Sequence, residues 1–197
     1  MISRLALSPV TIGLLILAGC QQQTKDTMPP PVAMTEEAVG HFCQMNILEH
    51  AGPKAQIHLE GLPYPLFFSQ VRDGIAYERM PEQNYKIRAI YVTDMSRAHD
   101  WENVGQENWI PATSAHYVVA SAKTGGMGAP ELVPFSDQDD AKNFVSRHGG
   151  QIMRLEDIDD VLVLNSAPIK PSAETHETAI VPDDDDYRAR LEKLRKE

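Results

Sequence analysis

The sequence predicts an α+β fold made of two ββαβ-like units flanked by flexible termini. Two sets of apolar, β-branched runs predict the strands, and a turn rich in glycine or proline interrupts each set. A helix with acidic residues in its first turn follows the second set. We therefore expect the order strand, strand, helix, strand in each half, although the helix of the first half is poorly marked.

The strands are placed by their β-branched and aromatic residues. The predicted strands span residues 54–59, 65–68 and 87–93 in the first half, and residues 115–121, 131–135 and 151–154 in the second half.

Apolar spacing places the helices. The marked helix begins at Ser136 or Asp137, repeats apolar residues three and four positions apart, and ends at His148-Gly149-Gly150. A last helix is predicted over residues 156–164.

The first twenty residues have the features of a lipoprotein signal. The apolar run after Arg4 is shorter than the roughly 20 residues that span a bilayer, so residues 1–19 are predicted to be a cleaved signal peptide. The ending Leu17-Ala18-Gly19-Cys20 resembles the bacterial lipobox, after which Cys20 carries lipid. A plain signal peptide with a chance cysteine is the alternative. We predict a periplasmic protein that is held to a lipid bilayer through Cys20. The residue after this cysteine is Gln21 rather than Asp, and the absence of Asp at that position resembles sorting to the outer membrane.

The composition divides the mature chain into a tether, a domain and a tail. Residues 20–35 end in three prolines and are predicted to be a lipid-anchored flexible tether. The folded domain is expected over residues 36–165. Residues 166–197 are predicted to be a flexible acidic tail with a short helix. Its run Asp183–Asp186 lacks the spacing of a calcium loop, so we do not expect a metal site there.

Charge and motifs exclude several classes of protein. The chain has 18 Lys and Arg against 28 Asp and Glu, a net charge of −10, which disfavours nucleic acid as a partner. A mean hydropathy of −0.33 excludes a polytopic membrane protein. The sequence contains no H-E-x-x-H, C-x-x-C, G-x-S-x-G or Walker A motif, so neither a zinc site nor a hydrolase or NTPase site is indicated.

Cys43 and Met45 are the first candidates for a metal site. On an extended segment, two side chains that are two residues apart point the same way. A thiolate with a thioether is a soft ligand pair, which favours Cu(I) over zinc, magnesium or calcium. Met127 lies among glycines, which predicts an exposed loop. The alternative is that these side chains only fill the core, which is the usual role of both types.

Three histidines are possible additional ligands. His41 and His50 flank the Cys43 motif, and the sequence does not choose between them. His148 ends the predicted helix, where it either caps carbonyl groups or binds metal.

The ordered set of motifs resembles the NosL family of copper-binding lipoproteins. After the lipobox come the segments Cys43-Gln44-Met45-Asn46-Ile47, Gly52-Pro53-x-Ala55-Gln56-Ile57, Tyr91-Val92-Thr93-Asp94, Trp101, Trp109-Ile110-Pro111-Ala112, Ala115-x-Tyr117-Val118, Met127-Gly128 and Ala141-x-x-Phe144. They span about residues 17 to 158.

The resemblance implies an accessory protein that binds one Cu(I) and delivers it for assembly of the copper centres of nitrous oxide reductase. The family works beside an ABC-type maturation complex in the inner membrane, and its fold is similar to the metal-binding part of organomercurial lyase. Its soft ligands correspond here to Cys43, Met45 and Met127, with His148 as a further candidate. Many relatives have a second cysteine where this chain has Gly40.

Two other functions remain open at this point. One is an enzyme that acts through Cys43, such as an organomercurial lyase. The reaction of such an enzyme is expected to need two thiols, and the mature chain has one free thiol. The other is a lipid-anchored scaffold whose cysteine and methionines only pack. We expect a copper chaperone and no catalysis.

Overall fold

The computed structural model describes residues 27–164. The signal peptide, Cys20 and the predicted tail from residue 166 lie outside the described residues. The elements of the first unit are β1 (Ala55–Leu59), β2 (Leu66–Phe68), α1 (Val71–Arg79), β3 (Ile87–Thr93) and β4 (Trp109–Pro111). Those of the second are β5 (His116–Val119), β6 (Val133–Phe135), α2 (Gln138–His148) and β7 (Gln151–Met153), followed by α3 (Asp160–Leu164).

The first unit is an antiparallel sheet in the order β2-β1-β3-β4. Ala55 of β1 lies opposite Phe68 and Val92, whereas Leu59 lies opposite Ile87. The sheet therefore has two ends, which we call the Ala55 end and the Leu59 end.

The helix of the first unit, α1, is the one that the sequence marked poorly. Its N-cap residue, Gln70, makes no side-chain capping hydrogen bond. Gly74 lies so close to β1 that a Cβ there would be 2.6 Å from the Cβ of Ala55. The helix is thus fixed by close packing on the sheet rather than by a local cap.

The second unit is an antiparallel sheet in the order β6-β5-β7, with α2 packed against it. The Asp137 side chain caps α2 by accepting from the backbone N–H groups of Asp139 and Asp140, and Gly149 ends the helix with φ at 69°. These boundaries follow the prediction. Because both units run ββαβ with equivalent strand orders, the predicted repeat of an α+β unit is confirmed.

Asp94 joins the two units. Its buried carboxyl group accepts hydrogen bonds from the backbone N–H groups of Ser96 and Ser136, and from the Ser136 hydroxyl at 2.6 Å. Asp94 follows β3 and Ser136 follows β6, so this contact fixes the end of one sheet against the other.

The N-terminal segment contacts the sheet earlier than the predicted start of the domain at residue 36. The backbone of Val32 exchanges two hydrogen bonds with the Gln56 side chain, and the Tyr91 hydroxyl donates to the carbonyl oxygen of Pro29 at 2.7 Å. Met34 is buried beside Ile47 in a small apolar cluster. The ordered contacts therefore extend back into residues that the composition assigned to the tether.

The last described segment packs against α1. The helix predicted over residues 156–164 is divided into a 3-10 turn at Leu155–Asp157 and the short helix α3, where the Asp159 side chain accepts a hydrogen bond from the backbone N–H of Val161. Arg72 donates to the carbonyl oxygen of Val163, and Arg79 donates to those of Ile158 and Leu155. Within residues 27–164, no helix is long and apolar enough to cross a bilayer.

Candidate metal centre

Cys43 lies in a tight turn at the Ala55 end of the first sheet. The N–H of Gly40 donates to the carbonyl oxygen of Met45, and the N–H of Gln44 donates back to Gly40 at 2.8 Å. Gln44 has φ at 56°, the left-handed region that non-glycine residues rarely adopt. The segment is therefore not extended, so the same-side argument for Cys43 and Met45 does not apply to it.

The Cys43 thiol is half-buried between two neighbouring segments. Its Sγ atom lies 3.9 Å from Nε2 of His50 and 3.7 Å from Oγ of Ser69. A Cβ at Gly40 would lie 2.5 Å from this sulfur. Glycine at position 40 therefore leaves the space that the Cys43 thiol occupies.

The orientation of His50 determines which of its ring nitrogens faces the thiol. Nδ1 lies 3.1 Å from the carbonyl oxygen of Gly126. A carbonyl oxygen only accepts, so Nδ1 carries the hydrogen, and Nε2 of the neutral ring presents its lone pair towards Cys43. Fixing one nitrogen so that the other is free is the usual arrangement of a metal-binding histidine.

The contact with His50 also places the loop that carries Met127. A Cβ at Gly126 would lie 2.6 Å from the His50 Cβ and 2.9 Å from the Ser69 carbonyl oxygen, so only glycine permits this approach. The next residue, Met127, donates its N–H to Oε1 of Gln70 at 3.2 Å. Met127 is exposed, as its glycine-rich sequence predicts.

A buried polar layer supports these loops. Lys54 donates to the carbonyl oxygens of His50, at 2.6 Å, and Gly52, and burial lowers its pKa to about 8. Burial raises the pKa of Glu131 to about 8, and its Oε2 accepts no hydrogen bond from the described residues. The hydrogen bond from buried Lys54 thus fixes the backbone of His50.

The Cys43–His50 pair has the spacing of two ligands of one ion. Zinc, for example, binds thiolate sulfur at about 2.3 Å and imidazole nitrogen at about 2.0 Å. Together these lengths exceed the 3.9 Å between the Cys43 and His50 atoms, so both atoms can bind the same ion of this size. In the described part of the chain, no three His, Cys, Asp or Glu side chains are grouped to hold a metal. Met45 and Met127 are exposed thioethers on the adjoining segments.

His41 and His148, the other two candidate histidine ligands, have different neighbours. The His41 ring packs against the rings of Phe42, Phe68 and Tyr77. The His148 ring packs on Phe144 with 4.5 Å between centroids, in a cavity of about 350 Å³ that the Cys43 turn does not line. Burial, with the positive charges of Lys123 and Arg147, lowers the pKa of His148.

The structure thus brings together Cys43, His50 and the segments that bear Met45 and Met127, and it places His148 in another cluster. Sequence reasoning could not select His50, because the hydrogen bond that orients its ring is to Gly126, which is 76 positions away. The signal that the sequence does carry is the pair Gly125-Gly126, since glycine at position 126 permits the loop to lie against His50.

Comparisons with known proteins identify relatives along almost the whole chain. The family model described as NosL matches residues 31–163. The chain is 50% identical to the copper-binding lipoprotein NosL of Achromobacter cycloclastes, over 98% of this chain and 96% of that protein. It is 33% identical to the protein of the same name from Stutzerimonas stutzeri, over 78% and 80% of the two chains. The crystal structure of the copper chaperone NosL from Shewanella denitrificans has a TM-score of 0.61 and 31% identity, and the match covers 68% of this chain and 99% of that one.

Proposed function

This chain belongs to the NosL family, and from that premise we propose that it is a membrane-anchored periplasmic copper chaperone. It binds one Cu(I) ion and delivers it for assembly of the copper centres of nitrous oxide reductase. The observation that carries the proposal is the 3.9 Å approach of the Cys43 sulfur to the free nitrogen of His50.

Cys43, His50, Met127 and Met45 are the proposed ligands of the copper ion. A thiolate, an imidazole and thioethers are soft to borderline donors, and this set suits Cu(I) better than hard cations. His50 takes the place that the resemblance assigned to His148, because the described contacts of His148 are with another cluster.

The exposure of the site supports transfer rather than storage. Met45 and Met127 are 44% and 45% exposed, so two of the proposed ligands are accessible to a partner. An incoming ligand from an acceptor can replace an exposed thioether while Cys43 still holds the ion. We propose apo nitrous oxide reductase and the ABC-type complex of the inner membrane as the partners of this exchange.

The relatives named as lipoproteins support anchoring through Cys20. We propose that the anchor is in the outer membrane, as Gln21 indicates. The negative net charge supports the expectation that nucleic acid is not a partner.

The proposal excludes catalysis by Cys43. By the family resemblance, cleavage of an organomercurial needs two thiols. Position 40, whose side chain would lie directly beside the Cys43 thiol, is a glycine and supplies no second thiol. The relatives are named for copper binding rather than for turnover.

The test is the Cu(I) stoichiometry of the wild-type chain and Cys43→Ser by native mass spectrometry, with a chelator competition for affinity. We expect one Cu(I) per wild-type chain and none in Cys43→Ser at equal chelator. The same affinity in both proteins would refute the proposal, and release of mercury from an organomercurial would favour the enzyme.

A further inference from the structure

The Leu59 end of the first sheet carries three exposed apolar or aromatic side chains. Leu62 and Tyr64 lie in the turn between β1 and β2, and Tyr85 lies two residues before β3. Their exposed fractions are 51%, 76% and 67%. The copper site contains none of these residues.

The two segments are joined to each other. The N–H of Glu60 donates to the carbonyl oxygen of Lys86 at 2.8 Å, and the side chains of these residues form an ion pair of 3.1 Å. The three exposed side chains therefore lie at one end of one sheet, on segments that a backbone hydrogen bond connects.

The N-terminal segment approaches the sheet from this end. Arg88, the second residue of β3, donates to the carbonyl oxygen of Thr27. Farther along the segment, Pro29 contacts Tyr91, Val32 contacts Gln56, and Gly40 is bridged to Phe67 of β2. The chain thus runs from the Leu59 end towards Cys43 at the Ala55 end.

Cys20 is only seven residues before Thr27 in the sequence. At about 3.5 Å per residue, these seven residues span at most about 25 Å. A lipid on Cys20 therefore keeps Thr27, which contacts Arg88 near the Leu59 end, within about 25 Å of the bilayer surface.

We propose that Leu62, Tyr64 and Tyr85 form a membrane-contact surface, through which the Leu59 end of the sheet binds to the phospholipid headgroups. The proposal rests on acylation of Cys20 and is independent of copper binding. Tyrosine is enriched at membrane interfaces because its ring is apolar and its hydroxyl is hydrated. The patch is small, but the anchor keeps it at high effective concentration beside the lipid, so a weak contact suffices.

Seating this end sets the direction of the copper site. Cys43 is at the other end of the same sheet, so it faces away from the membrane that holds the anchor and towards the proposed partners. An anchored chain that only trailed on a tether would have no preferred orientation.

The test uses mature protein whose mass shows acylated Cys20, reconstituted in vesicles of phosphatidylethanolamine and phosphatidylglycerol. A nitroxide is attached at Leu62→Cys in a Cys43→Ser background, and the control carries it on the native Cys43. Power saturation by oxygen and by a water-soluble nickel complex measures the immersion of each label. We expect a several-fold higher ratio of oxygen to nickel accessibility at position 62 than at position 43.

Two further measurements identify the occupant. Tyr64→Ser combined with Tyr85→Ser should lower the immersion at position 62 without changing circular dichroism. Immersion that persists at less than one protein per vesicle supports lipid, whereas immersion lost on such dilution would mean contact between copies and would overturn the proposal. Equal accessibility at positions 62 and 43 would also overturn it. Absence of the acyl mass would overturn it as well, because the anchor on Cys20 is its basis, and neither result would bear on copper binding.

Discussion

The ring of His50 is hydrogen-bonded to the backbone of Gly126 at 3.1 Å, although the two residues are 76 positions apart. One contact therefore orients an imidazole towards Cys43 and fixes the loop that presents Met127. The first three predictions follow from this arrangement.

Replacing His50 by glutamine should weaken Cu(I) binding by at least about tenfold, since even outer-shell partners of metal ligands contribute 10- to 100-fold. Competition with a Cu(I) chelator measures the effect. His116→Gln, which removes a half-buried imidazole from β5, is the matched control and should keep the wild-type affinity. Equal affinities in the two variants would exclude His50 as a ligand.

Replacing His148 by alanine should leave both the stoichiometry and the affinity for Cu(I) unchanged. The ring lies beside Phe144 in a cavity that the Cys43 turn does not line. The same competition titration checks this outcome. A loss comparable to that of His50→Gln would restore His148 to the ligand set.

Gly126→Ala should reduce Cu(I) affinity about tenfold, because the new Cβ would displace the Met127 loop from His50. Gly128→Asn is the control on the same loop: its φ of 79° suits asparagine, and no atom lies within 4 Å of a Cβ there. Chelator competition compares the two. Equal affinities would show that the approach of Gly126 to His50 has no role in binding.

Folding stability should depend on pH through Glu131. Its pKa is raised to about 8 in the folded chain, so the folded state binds more protons than the unfolded state between about pH 4.5 and 8, and stability falls as pH rises through that window. Lys54, whose pKa is lowered to about 8, has the opposite sign and recovers stability between about pH 8 and 10.5.

Glu131→Gln should therefore remove the decline below pH 8. We expect the free energy of unfolding of the variant, relative to that of wild type, to be more than about 1.4 kcal/mol higher at pH 8.5 than at pH 5; this is the value of one pKa unit. Urea denaturation at the two pH values measures the difference. An unchanged slope in the variant would mean that Glu131 does not titrate in this range.

Asp94→Ala should lower the free energy of unfolding by about 3 kcal/mol, because the N–H and hydroxyl groups of Ser136 lose their buried acceptor. Asp139→Ala, which removes only an exposed pair with Lys142, should change it by less than about 0.5 kcal/mol. Urea denaturation compares both with wild type. Similar losses would argue against Asp94 as the link between the units.

The sequence predicted those elements whose signals are local. Asp137 and Gly149 determine α2 by themselves, and the β-branched run over residues 87–93 determines β3. The sequence did not mark α1, because Gln70 gives no cap and Gly74 is favoured only by its contact with Ala55 across the sheet. Strand β4 was not predicted, since three residues that include Pro111 carry little strand signal.

The same distinction applies to the metal centre. Cys43, Met45 and Met127 were selected by their chemistry and by the glycines around the loop. Choosing among His41, His50 and His148 required the distance from each ring to the Cys43 sulfur and the contact, remote in sequence, that orients the ring. For His50, the distance is 3.9 Å, and the hydrogen bond to Gly126 sets the orientation.

The two arginines of α1 have a consequence for the order of folding during synthesis. Arg72 and Arg79 obtain carbonyl partners from residues 155 to 163, which are synthesised more than 75 positions after them. A ribosome releases a polypeptide with its amino end first. Helix α1 therefore gains its contacts with residues 155 to 163 only when nearly all of the domain has been synthesised, so a stalled or shortened chain is left open to proteolysis.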